Sequence, residues 1–114
     1  MGYVRTPKKE ESSIQKDISD YLTSKGAEVY NPKTGSHSKK GTPDLLLCFQ
    51  GLFIAIEVKQ PGKKPSKLQQ LRIKRVKKAG GIAFATDNLK EVKELINDIS
   101  NVQRTNEPDG GSGL

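Results

Sequence analysis

Residues 41–59, GTPDLLLCFQGLFIAIEVK, read as an apolar strand pair that nevertheless carries Asp44, Glu57 and Lys59. Two carboxylates and a lysine gathered at one strand end can hold a divalent cation, position a water and stabilise negative charge developing on phosphorus. Whether they meet depends on register. Gln50-Gly51 predicts a two-residue hairpin turn, which sets Phe49 opposite Leu52 and carries Asp44 opposite Glu57. Directly opposed side chains have Cβ atoms about 4.5–5.5 Å apart. Period-two alternation puts Lys59 on the face of Glu57, with Leu46, Cys48, Phe53 and Ala55. The other face collects Leu45, Leu47, Phe49, Leu52, Ile54, Ile56 and Val58, and is expected to pack on helices. A slip of one residue would undo the arrangement. Like charges directly opposed destabilise a sheet, so something must offset the pair. The options are a raised pKa on one carboxyl, Lys59 as counter-ion, or a divalent cation.

The rest of the chain must supply elements that hold this patch. Ile14, Ile18 and Leu22 fall four apart and Gly26 follows, predicting a helix from about Ser12 to Lys25. Glu11 lies one turn upstream on the same inward stripe, whereas Glu10 points about 100° away. Residues 27–30 predict a short strand, and NPKTGSHSKKG a loop bordered by Tyr30, Lys33 and His37. Strands are expected over about 43–49 and 52–59. Ser66-Lys67-Leu68-Gln69 has capping-box spacing and opens a helix to about Ala79, ended by Gly80-Gly81, with Leu68, Leu71, Ile73 and Val76 as its buried side. A strand over 82–86 and an amphipathic helix over 88–101 complete an α-β-β-β-α-β-α order with a mixed sheet.

Composition limits the function classes. Leu, Ile, Val and Phe make 27 of 114 residues, enough for a small core that dimerisation would assist. The formal charge is +7, and no Asp or Glu stands between Glu57 and Asp87, while residues 59–78 hold nine Lys or Arg. A basic block beside a carboxylate patch fits a phosphate-backbone surface better than an idle solvated face. Lys39, Lys40, Lys63, Lys64, Lys67, Arg72 and Arg75 are its candidate contacts, and Gly41-Thr42 would let backbone approach phosphates. The one cysteine, Cys48, excludes an intrachain disulfide and is expected as a buried core thiol. No membrane span or signal peptide is read, so a cytoplasmic location is expected. A lone loop histidine, His37, gives thin support for a metal-free RNA-processing endonuclease. Aromatic residues are few, so shape and backbone recognition are more plausible than base readout.

Pro43-Asp44 followed by Glu57-Val58-Lys59 resembles the PD-(D/E)XK nuclease signature. The ordered set of Glu11-Ser-Ser-Ile-Gln, GTPDLL, EVK, Ser66-Lys-Leu-Gln69 and Gly80-Gly81 before a strand resembles the VRR-NUC (virus-type replication-repair nuclease) family over about residues 11–100. The resemblance implies an α/β, restriction-endonuclease-like core of mixed sheet flanked by helices. It implies a domain over 10–102, between a basic arm at 1–9 and a flexible tail at 103–114. It implies metal ligation by Glu11, Asp44, Glu57 and the Val58 carbonyl, with Lys59 as catalytic lysine and Gln69 orienting site groups. The cofactor would be Mg²⁺, with Mn²⁺ substituting. The chemistry would be endonucleolytic hydrolysis of DNA, branched or Holliday-junction-like, by a homodimeric phage or viral protein acting in the host cytoplasm. The alternative is a nuclease-like fold that only binds nucleic acid.

Overall fold

In the computed structural model, residues 10–34 and 40–106 are described, with side chains described for 10–33 and 40–102. Helix α1 (Glu11–Ser24) is followed by strand β1 (Glu28–Tyr30) and a 3₁₀ turn (Pro32–Thr34). Strands β2 (Leu45–Phe49) and β3 (Leu52–Val58), helix α2 (Lys67–Lys78), strand β4 (Ile82–Thr86) and helix α3 (Leu89–Asn106) complete the chain. The order is the one the pattern predicts. The sheet runs β1-β2-β3-β4, with the first two pairings antiparallel and β3–β4 parallel. A parallel pair needs a crossover, and α2 provides it.

The hairpin register is as read from the turn. Phe49 pairs with Leu52 and Leu45 with Ile56. Gln50 and Gly51 both have positive φ, at 50° and 80°, as a two-residue hairpin whose twist matches its strands requires. Leu45, Leu47, Phe49, Ile54, Ile56 and Val58 are buried together with Ile14, Ile18 and Leu22 of α1 and Val92, Ile96 and Ile99 of α3. One sheet face and two helices thus make the core, and removing this apolar surface from water is the main force holding β2 and β3 in place.

The opposite face departs from expectation in two places. Helix α2 has no fully buried residue, and Leu68 and Leu71 are exposed, so the apolar side predicted for it is only loosely covered. Its place between two parallel strands sets it against Ala83 and Ala85, which present little apolar surface to cover it. Cys48 is exposed rather than buried, because it alternates onto this same, thinly covered face beside exposed Phe53.

Gly41 has a structural reason to be glycine. Its φ is +79°, and a Cβ there would lie 2.6 Å from Leu68 Cγ and 3.3 Å from Arg72 Cγ. The chain leading to Asp44 therefore passes directly under α2. Gly41→Ala is expected to cost roughly 1–2 kcal/mol from backbone strain and displaced Leu68, lowering Tm by several degrees. Calorimetry checks this, and an unchanged Tm would mean that α2 does not rest on this segment.

Candidate active site

Asp44 lies one residue before β2, where the hairpin register continued by one step sets it against Glu57 near the end of β3. Both are buried, unlike every other Asp or Glu among the described residues. Asp44 Oδ2 accepts from the Val58 backbone N–H at 2.8 Å, which fixes the carboxylate. In an extended strand the N–H and C=O of one residue project to the same side. The Val58 carbonyl therefore points toward the Asp44 edge, and Lys59 turns the other way, its N–H donating to Thr86 O of β4 at 2.9 Å.

The repulsion between the two carboxyl groups is offset by a residue that the hairpin argument does not reach. Lys33 Nζ stands 3.0 Å from Asp44 Oδ1 and 3.2 Å from Glu57 Oε1. It is presented by the 3₁₀ turn after β1, where its N–H donates to Asn31 Oδ1 at 3.2 Å. β1 ends at Tyr30, paired with Leu46, and the 3₁₀ turn that follows brings Lys33 to the pair. Lys33, not Lys59, is the counter-ion. A raised pKa contributes as well. Burial first, and then the hydrogen bond and charge of Asp44, push Glu57 up to about 7, against the opposing pull of Lys33. For Lys33, burial disfavours the charge, but Asp44 and then Glu57 more than offset it and its pKa is raised.

The Glu57 shift has a sign that can be tested on the folded protein. Between its ordinary value of 4.5 and about 7 the native state keeps a proton that the unfolded chain gives up. This group's contribution is therefore complete below 4.5 and lost as pH rises through about 7, amounting to at most roughly 3 kcal/mol in metal-free buffer. Urea unfolding at pH 5 and pH 8 should show this loss in the parent and not in Glu57→Gln. An identical pH slope in both would rule it out.

Lys59 Nζ lies 3.4 Å from Gln69 Oε1. The same oxygen accepts from Ser66 N–H at 2.8 Å, and Ser66 Oγ accepts from Gln69 N–H at 3.1 Å. The capping box predicted for α2 is thus complete, and its glutamine also touches the lysine. The helix start and the strand end are tied together through one carbonyl oxygen.

Glu11 is the first residue of α1 and half-buried, but it is not gathered with the pair. Among the described residues no three His, Cys, Asp or Glu side chains lie close enough to hold a metal ion together. The donors present at the pair are two carboxylates and a strand carbonyl, with an ammonium standing where a cation would sit. Such hard oxygen donors suit Mg²⁺ or Mn²⁺.

Basic residues flank the pair on both sides. Arg72 and Arg75 line a groove of about 580 Å³ with Pro43, Leu46 and Phe53, next to the segment that carries Asp44. Lys63 and Lys64 share a hollow with Lys59, together with Asp87 and Glu91. Lys40 and Lys67 are exposed, whereas Lys39 and His37 lie outside the described residues.

A mixed four-stranded sheet, a PD…EVK site at the ends of its hairpin and a glutamine entering from the next helix define a PD-(D/E)XK-type nuclease fold. The chain is similar to a solved VRR_NUC domain at 28% identity, with a TM-score of 0.66, over 76% of this chain and 94% of that one. That match supports the VRR-NUC family to which the motifs point, and with it a nuclease-type function. A nuclease fold of this family implies a divalent metal. No protein-family model matches the chain, and no curated protein does. No helix among the described residues is long and apolar enough to cross a membrane.

Proposed function

We propose that the protein is a Mg²⁺-dependent endodeoxyribonuclease acting on structured or branched DNA. The observation that carries this reading is the buried Asp44–Glu57 pair, with Lys59 two residues beyond Glu57 and further basic groups lining the neighbouring hollows. A module that merely bound DNA would gain nothing from two buried, mutually repelling carboxylates facing a polyanion.

In this reading Asp44, Glu57 and the Val58 carbonyl would hold the ion, with Glu11 contributing from α1. When bound, the ion would supply a polarised water nucleophile and charge neutralisation at phosphorus. Lys59, oriented by Gln69, positions that water and stabilises the negative charge that develops. Lys40, Lys63, Lys64, Lys67, Arg72 and Arg75, with Lys39, grip the backbone without reading bases. Manganese is expected to replace magnesium. A two-fold homodimer would place two such sites on symmetry-related strands. Exposed Tyr30, Phe53, Leu68 and Leu71 supply apolar surface that a second copy could cover.

The test is a panel of labelled linear duplex, single strand, flap and four-way junction, in DNA and RNA, with Mg²⁺, Mn²⁺ or EDTA. Paired cuts in the junction support the full reading. Cuts only in flaps or single strands keep the chemistry and remove the junction. Tight binding without cleavage under any metal favours a binding module.

A further inference from the structure

The residue that the nuclease reading leaves without a role is Lys33. Its ammonium touches one oxygen of Asp44 and one of Glu57, at 3.0 and 3.2 Å. Asp44 Oδ2 already accepts from the Val58 N–H, so Lys33 holds the other oxygen of Asp44 and one oxygen of Glu57, the two side chains that the reading gives to the metal. A Mg²⁺ ion sits about 2.0–2.1 Å from its oxygen ligands. An ion bridging Asp44 Oδ1 and Glu57 Oε1 would lie within the space that Lys33 Nζ now fills, with two positive centres almost in contact. Lysine and metal therefore exclude each other at these oxygens.

We propose that Lys33 is the resident cation of the site, and that a divalent ion must displace it to bind. The inference rests on the nuclease reading of the preceding section. It assigns to Lys33 control of the metal concentration at which the site loads.

Three features support an exchangeable lysine rather than a permanent strut. Its side chain is 33% exposed while its partners' are 8% and 2% exposed, so a route outward exists for the lysine alone. The stem is flexible and its ammonium hydrates strongly, so leaving the pair for solvent is not prohibitive. It stands on a three-residue 3₁₀ turn outside the sheet ladder, so its movement breaks no strand pairing. The lysine also explains how two buried carboxylates persist in the absence of metal, since an unpaired buried charge is strongly destabilising.

The test is isothermal titration of Mn²⁺ into the DNA-free protein, for the parent, Lys33→Met and Asp44→Asn, with thermal unfolding of each. Lys33→Met retains most of the stem's bulk and removes the charge. The expected result is tighter Mn²⁺ binding by about tenfold or more in Lys33→Met, a lower Tm in EDTA, and a larger rise in Tm on adding Mn²⁺. Amine labelling followed by mass spectrometry provides a second readout, and in the parent Lys33 should become more reactive as Mn²⁺ saturates. Equal Mn²⁺ affinity in parent and Lys33→Met, with binding lost in Asp44→Asn, overturns the inference and leaves the metal site standing. If Lys33→Met is too unstable to titrate, unchanged Lys33 labelling across the Mn²⁺ range overturns it equally. Failure of parent and Lys33→Met alike to bind Mn²⁺ removes the metal reading itself, and the inference with it.

Discussion

Asp44→Asn is expected to lower the single-turnover cleavage rate by at least about a thousandfold, which is roughly 4 kcal/mol of transition-state stabilisation. The substitution is chosen because Asp44 does two things. Its Oδ2 takes the Val58 N–H at 2.8 Å, a structural role that asparagine Oδ1 can keep. Its Oδ1 faces Lys33 and Glu57, and there the negative charge is what matters. Asp44→Ala would mix the two effects, because leaving the Val58 N–H buried and unpaired costs about 1–3 kcal/mol of stability. DNA affinity of Asp44→Asn should be unchanged or tighter, since one carboxylate that repels phosphate is gone. Gel-shift titration in EDTA beside the cleavage assay separates the two quantities. Loss of binding parallel to loss of cleavage would mean that Asp44 shapes the surface rather than the chemistry.

Lys59→Met is expected to lose roughly 10²–10⁴-fold in rate while keeping the parent's Mn²⁺ affinity. Lys59 leaves the strand on the β4 side, bonded through its N–H to Thr86, and its ammonium meets Gln69 rather than the carboxylates. It can therefore reach a substrate-bound water without being part of the donor set. Lys59→Arg should not restore the rate, because a wide, delocalised and always-protonated guanidinium does not reproduce the compact point charge of an ammonium or its capacity to exchange a proton. Full activity in Lys59→Met would remove the lysine from the reaction. Weakened Mn²⁺ binding would place it with the ligands instead.

How far the site was legible follows from the kind of constraint on each pair of elements. The β2–β3 register was readable because two turn residues with positive φ leave no freedom, and the cross-strand position of Asp44 and Glu57 follows from it. The capping box at Ser66 and Gln69 was readable for the same reason, since its spacing is local. Lys33 was not. It reaches the pair through the β1–β2 register, and the stretch of sequence between Tyr30 and Leu45 is too long for one local turn signal to set that register. The demand for an offsetting charge is visible in the sequence, but among lysines the hairpin offers only Lys59, which stands there as one of three options beside a raised pKa and a divalent cation. A search for a cation outside the hairpin, in the loop after β1, was the available signal.

The surface of α2 illustrates a second limit. Leu68, Leu71, Ile73 and Val76 have apolar helical spacing, yet none is fully buried. Amphipathic pattern states which side of a helix seeks cover, not how much cover the sheet provides. Cys48 was misplaced by the same gap, since hydrophobic surroundings in sequence do not identify the thinly covered face. Both sit on the side where the proposed second copy would lie, so a homodimer would bring these residues nearer to the burial that their sequence predicts.

The most direct test of the account is cleavage of a labelled four-way DNA junction by the same preparation in EDTA, after Mg²⁺ is restored, and by Asp44→Asn with Mg²⁺. No products are expected in EDTA, cleavage on restoring Mg²⁺, and none from Asp44→Asn. Cleavage that persists in EDTA, or in Asp44→Asn at the parent's rate, would contradict the assignment of Asp44 and Glu57 as a metal-dependent catalytic centre.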